Sequence, residues 1–160
     1  MTTTPSTPRK TILCPVDFSP SSERALNHAA ERYASDAELV VLHVGNPGAG
    51  DTGTLFKEHL HHFSRYSDML SMYGCNVRFA VEYGTPSDTI IAYAKAHGAN
   101  MIVLGTHGAN NISRLLVGST TETVMRHATC PVLILKSQEP AATGERASRK
   151  TIAALSNIND

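Results

Sequence analysis

The chain carries no excess charge of either sign: its 160 residues set 14 Lys and Arg against 14 Asp and Glu. That balance gives no footing for general nucleic-acid binding or for a polybasic membrane anchor, so neither partner is expected. It also removes one barrier to self-association. Cysteine is scarce, and Cys14, Cys75 and Cys130 lie far apart with no CxxC pair. Scattered thiols of this kind fit a reducing compartment, each acting as a small apolar side chain, and argue against a zinc site. No apolar run approaches the ~20 residues of a spanning helix. The opening MTTTPSTPRK is polar and lacks the apolar segment of a secretory signal. These absences predict a cytoplasmic protein. The GxxxxGK(S/T) loop, whose lysine and hydroxyl serve phosphoryl transfer, is missing too.

What is present alternates between two periods. The length suits one α/β domain with a proper core. Thr11 to Val16 reads as a short buried strand, and Ser19-Pro20 as an N-cap followed by a proline at the first helical position. The helix beyond places Leu26, Ala29, Ala30 and Tyr33 on one face. Glu38 to Val44 (ELVVLHV) is nearly continuous and apolar, as a strand covered on both faces should be. After glycines around Asp51, Phe56, Leu60, Phe63 and Leu70 recur at helical spacing. Val77, Phe79 and Val81 alternate as in a strand.

Thr85-Pro86 repeats the cap-and-proline signal, with Ile90, Ile91 and Ala94 as the apolar face and Gly98 as the stop. Met101 to Leu104 is a buried strand. Ser119-Thr120-Thr121-Glu122 matches a capping box, and Pro131 to Leu135 is the last strand. Five strand–helix alternations predict an open, doubly wound parallel sheet of five strands, Rossmann-like, with helices on both faces. Residues 1–9 read as a flexible leader, 10–136 as the domain and 137–160 as a polar tail ending in a marginal helix around Ile152 to Leu155.

In open parallel sheets, ligands sit beyond the carboxyl ends of strands where the strand order reverses. If the sheet winds outward from its first strand, strands one and four flank that point. Asp17 would then face the run Gly105-Thr106-His107-Gly108, which is followed nine residues later by Gly118-Ser119-Thr120. Glycines let the backbone turn sharply or approach a ligand, and a helix N-terminus offers N–H groups and a positive dipole end to anions. Asp17 could accept hydrogen bonds from a base or ribose, or simply cap the following helix. Ser119 and Thr120 could hold phosphate oxygens, or Ser119 could serve only as an N-cap. Arg114 could add charge-assisted contacts or point to solvent. His107 could approach a phosphate or be a loop residue held by backbone geometry.

The histidines are less telling. His59 and His62 are three apart and share a helix face, a spacing a metal could use. With no acidic or cysteine partner evident, the expectation is a solvated face. His43, inside an apolar strand, reads as a satisfied core histidine.

These residues resemble one family. Gly105-x-x-Gly108, nine further residues and then Gly118-Ser119 match the nucleotide-binding motif of universal stress proteins. ILCPVDFSPSSERALNHA resembles that family's opening, ELVVLHV its second strand, GTPSDTIIAYAKAHGANMIVLGTHG its third helix and fourth strand, and CPVLILK its closing strand. The likeness covers about residues 9 to 136 and is least distinctive from Gly48 to Cys75. It implies the strand order 3-2-1-4-5 and the ATP-binding subgroup. Carried over, Asp17 and the backbone of Val44 would contact adenine, with Pro15, Val16 and Leu104 lining the pocket. Gly105, His107, Gly108, Arg114, Gly118, Ser119 and Thr120 would surround ribose and phosphates. Thr120 departs from the valine common in relatives. The resemblance further implies ATP, ADP or AMP as ligand, with or without Mg2+, and a homodimer through the last strand, whose unpaired apolar edge independently asks for a cover.

Three functions compete on these residues. One is a nucleotide-dependent stress or signalling module, and another a slow ATP hydrolase or phosphotransferase. The third is a nucleotide-free dimeric scaffold. The missing phosphate loop and the lack of a base near the terminal phosphate speak against the enzyme. The intact glycine motif speaks against the scaffold.

Overall fold

The computed structural model describes residues 9–48, 52–106, 117–136 and 154–155. In chain order the elements are β1 (Lys10–Val16), α1 (Pro20–Tyr33), β2 (Ala37–Gly45), α2 (Thr52–Ser71), β3 (Asn76–Tyr83), α3 (Pro86–Ala96), β4 (Met101–Gly105), α4 (Ser119–His127), β5 (Val132–Leu135) and β6 (Ala154–Leu155). The sheet order is β3-β2-β1-β4-β5-β6. The first five strands are parallel in the expected order 3-2-1-4-5. The sixth is antiparallel, pairing Leu155 with Val132 and Ala154 with Leu133. The tail therefore contributes a strand where the sequence predicts a marginal helix. A short isolated helix is poorly stable, whereas the free edge of β5 offers ready backbone donors and acceptors.

Alternation along the strands divides the core into two layers. Ile12, Cys14 and Val16 of β1 join Leu39 and Val41 of β2 and Val103 of β4 beneath Leu26, Ala29 and Ala30 of α1 and Tyr66 and Leu70 of α2. On the other face Leu13, Val40, Leu42, Ile102 and Leu104 pack under Ile90, Tyr93 and Ala94 of α3 and Val124 of α4. Both faces are covered, which explains the continuous apolar run of β2.

Local signals act largely as read. Ser19 is the N-cap of α1, its hydroxyl accepting from the Ser22 N–H at 3.3 Å, with Pro20 at the first helical position. Gly98 takes φ +61° just past α3, and the Ala99 N–H reaches back to the Ala94 carbonyl at 2.9 Å, a glycine stop of the usual kind.

Two further expectations differ from the structure. Phe56 and Leu60 do not join the buried face of α2; they are 65% and 52% exposed. The helical stripe holding Phe63, Tyr66 and Leu70 over the sheet passes through His59, which meets Phe18 and His43 at the strand ends. Phe56, about one turn further out, has run past that support. The second correction concerns α4. Its N-cap is Gly118 and Ser119 is its first helical residue, so Glu122 sits one position too late to complete a capping box.

Candidate functional site

The strand order reverses at β1, and there the strand register is shortest among the first five strands. β1 pairs with β2 over seven residues, from Lys10 to Val16. Against β4 its register is limited to Ile12↔Met101 and Leu13↔Ile102, although β4 runs on beside β5 to Gly105. Pro15, which has no N–H to donate, lies beyond the end of that ladder. The carboxyl ends of β1 and β4 lie beyond this pairing, at the reversal of strand order where sheets of this kind take their ligands.

On the β1 side the chain turns sharply into α1. Asp17 is exposed, and its Oδ1 accepts from the Ser19 N–H at 3.1 Å and from the Ser19 hydroxyl. The Asp17 N–H donates to Ser22 Oγ at 3.3 Å. Asp17 therefore does not cap α1 itself; it braces Ser19, the N-cap residue, through one carboxylate oxygen, and a carboxylate has two acceptors. Pro15 and Val16 are buried, and Val44 is half-buried. Val44 faces the α3/α4 layer together with Leu104, whereas Val16 faces the α1/α2 layer. The expected pocket residues therefore divide between the two faces of the sheet.

On the β4 side two hydrogen bonds close the neck of the glycine loop. The Gly118 N–H donates to the Thr106 carbonyl at 2.8 Å, and the Thr106 N–H donates to the Leu135 carbonyl at 3.1 Å. Thr121 Oγ1 donates to the Gly105 carbonyl at 3.0 Å, tying the first turn of α4 to the end of β4. Gly105 is needed for a reason the sequence did not signal: a Cβ there would lie 2.8 Å from the Ser21 carbonyl oxygen of α1. The amide of Gly118 is spent on Thr106. The donors left to an anion at this helix start belong to Ser119, Thr120 and Thr121, the first-turn positions with no intrahelical acceptor. Glu122, also in the first turn, is drawn to Arg126 at 2.9 Å. His107, Gly108 and Arg114 lie outside the described residues.

The histidines depart from expectation. His59 and His62 do not form a solvated face; both are half-buried against Phe18. The Phe18 ring stacks on His62 at 4.0 Å between centroids and on His43 at 4.3 Å, and His43 lies 4.9 Å from His59. His43 is satisfied as predicted, its Nδ1 2.9 Å from the Val16 carbonyl. Burial holds its imidazole below the ordinary 6.5; the Val16 carbonyl opposes this, as does Asp17, while His59 and His62 add to it. Burial also lowers His62, with help from His61 and Arg65. Among the described residues no three His, Cys, Asp or Glu side chains are grouped to hold a metal ion. The apolar residue between Asp17 and the N-cap, and the histidine within ELVVLHV, were the available signals of this cluster.

Cys14 is buried and its thiol is pushed up to about 12, by burial first and then by Cys75. All three cysteines are free, with Cys75 and Cys130 half-buried. Among the described residues no helix is long and apolar enough to cross a membrane.

A parallel sheet whose strand order reverses at β1, with an exposed acid and a helix N-terminus following the strands that flank the reversal, places the chain in the doubly wound, Rossmann-like class of α/β proteins. The particular family is shown by sequence. Residues 8–136 match the universal stress protein family, and the chain belongs to it. Universal stress protein MJ0531 of Methanocaldococcus jannaschii is 32% identical over 139 residues, covering 79% of this chain and 82% of that protein. The solved structure of MJ0577, from the same organism, superposes with a TM-score of 0.73 at 28% identity, covering 82% of this chain and 98% of that one. A universal stress protein solved in complex with cAMP shares the fold at 24% identity and a TM-score of 0.67, covering 80% and 98%.

Proposed function

We propose that the protein binds an adenine nucleotide, ATP or its relatives ADP and AMP, with or without Mg2+, in the crevice between β1 and β4, and that it acts as a nucleotide-dependent stress or signalling module in the cytoplasm. The observation that carries this reading is the end of the β1–β4 register at Leu13 and Ile102, at the point where the strand order reverses, with Asp17 after β1 and the start of α4 after β4. Asp17 and the backbone of Val44 would meet the base, and Pro15, Val16 and Leu104 would line the pocket. Gly105, His107, Gly108, Arg114, Gly118, Ser119 and Thr120 would surround ribose and phosphates. The exposed Asp17 and the first-turn amides of α4 favour this division. The cAMP bound by a protein of the same fold agrees with an adenine ligand.

A homodimer through β5 belongs to the same proposal, with one modification. β6 already pairs with Val132 and Leu133, so a second copy would have to displace β6 or dock beyond it.

The test is to identify any nucleotide that co-purifies and then to titrate ATP, ADP and AMP by calorimetry. Asp17→Ala and Gly118→Val should each weaken binding. The first removes an acceptor at the base, and the second crowds the backbone where phosphate would approach. Absence of binding by all three nucleotides overturns the proposal, and unchanged affinity in both variants moves the site elsewhere. Single-turnover assays with Mg2+ then separate a binder from a slow hydrolase.

A further inference from the structure

Phe18 has φ +63° and is the one non-glycine residue with a positive φ among the described residues. A bulky L-residue in that region is strained, and such a conformation persists where its surroundings over-determine it. Phe18 sits directly between Asp17, whose Oδ1 holds the Ser19 N–H, and Ser19, the N-cap of α1. Any change in the Phe18 backbone therefore moves the Asp17 carboxylate.

What holds the ring is partly local and partly distant. His43, on the adjacent strand β2, stacks on it at 4.3 Å with an interplanar angle of 30° and is itself fixed to the Val16 carbonyl. His62, from α2, stacks on it at 4.0 Å and 9°, the closest and most parallel of its ring contacts. Phe63, Tyr66 and His59 lie farther off, at 6.0, 6.1 and 6.2 Å, and complete the α2 side. Among the pocket and loop positions assigned to the nucleotide there is no residue of α2. This helix nevertheless grips the residue next to Asp17.

We propose that His62 is a positioning residue for the switch-point crevice: by stacking on Phe18 it holds that residue in its left-handed conformation and so fixes the Asp17–Ser19 turn. The inference rests on the nucleotide reading only for its effect on binding; its effect on the turn stands without a ligand. Stacking, rather than charge or a particular nitrogen, does the work, because the rings are nearly parallel. The charged and titratable groups facing His62 are Glu58, His59, His61 and Arg65 of α2 and His43 of β2; Asp17 of the turn acts on His43. Arg65 is in turn paired with Glu23 of α1. His62→Phe removes its titration while keeping a flat ring on Phe18, and His62→Ala removes both.

The experiment compares wild type, His62→Ala and His62→Phe in the full chain by two readouts. One is amide hydrogen exchange at Ser19, whose N–H is held by Asp17. The other is the dissociation constant for ATP. Aromatic pairing of this kind corresponds to roughly a two- to tenfold effect. His62→Ala is expected to speed Ser19 exchange and weaken ATP binding within that range, and His62→Phe to restore both. Unchanged exchange in His62→Ala overturns the proposal, as does a failure of His62→Phe to restore what His62→Ala loses. If wild type binds no nucleotide while Ser19 exchange follows the stack, the nucleotide reading falls and the positioning role stands. His62 is half-exposed, so the alanine variant keeps the core of α2; circular dichroism confirms that it is folded.

Discussion

Gly105 of β4 and Ser21 of α1 approach so closely that a side chain on the glycine has nowhere to go. A Cβ would stand 2.8 Å from the Ser21 carbonyl oxygen and 2.9 Å from its carbonyl carbon. Both are backbone atoms of a helix whose next turns are locked into the core by Ala25 and Leu26, so relief requires α1 itself to shift. Gly105→Ala should therefore destabilise the fold by about 1–3 kcal/mol, the usual cost of overpacking. Urea denaturation checks this. The Ser21 hydroxyl also stands in the way, but because backbone atoms remain once it is removed, Ser21→Ala should relieve the clash only in part. A Gly105→Ala protein of unchanged stability that loses nucleotide affinity would instead assign this glycine to ligand approach.

Thr121 ties the opposite rim. Its buried hydroxyl donates to the Gly105 carbonyl at 3.0 Å, holding the first turn of α4 against the end of β4. Thr121→Val keeps the shape and strands that carbonyl, which should cost about 1–3 kcal/mol. If the α4 amides hold phosphate, the same change should weaken ATP more than adenosine, since only ATP reaches the helix start. Calorimetry with the two ligands makes the comparison. An equal loss for both would place the phosphates away from α4.

The histidine cluster sets a pH dependence. His43 and His62 are held below 6.5 in the folded protein, by burial first. The unfolded chain therefore binds more protons than the folded one as pH drops below 6.5, and stability falls there. Above 6.5 the contribution is fully present; it is lost as pH falls through the depressed folded values. Urea midpoints measured at pH 8, 6.5 and 5.5 should decline on the acid side. His62→Phe should flatten part of that decline. A midpoint that rises on acidification would show the opposite linkage.

Most of the architecture was legible because its signals are local. Ser19-Pro20 and Thr85-Pro86 start helices, Gly98 stops one, and ELVVLHV is nearly continuously apolar because both faces of β2 are covered. The strand ends that flank the candidate site were legible for the same reason, each being followed by a distinctive turn. The contacts that join them were not. Gly105 against Ser21, Gly118 to Thr106 and Phe18 between two histidines are tertiary relationships that leave no period in the sequence. The capping box failed for a related reason: with the Gly118 amide bound to Thr106, the cap of α4 falls on Gly118, one residue before the serine that local chemistry would choose.

The last relationship concerns the edge of the sheet. β5 is four residues long, with Val132 buried and Leu133, Ile134 and Leu135 half-buried, and β6 covers Val132 and Leu133 by antiparallel pairing. An edge strand of this character invites a further strand from its own chain or another. Removing residues 137–160 takes β6 away and leaves the whole edge open. The shortened chain should then self-associate more strongly than the full chain, read as a higher mass at equal concentration in sedimentation equilibrium. Equal masses for the full and shortened chains would mean that β6 does not compete with a second copy, and that any dimer forms through another surface.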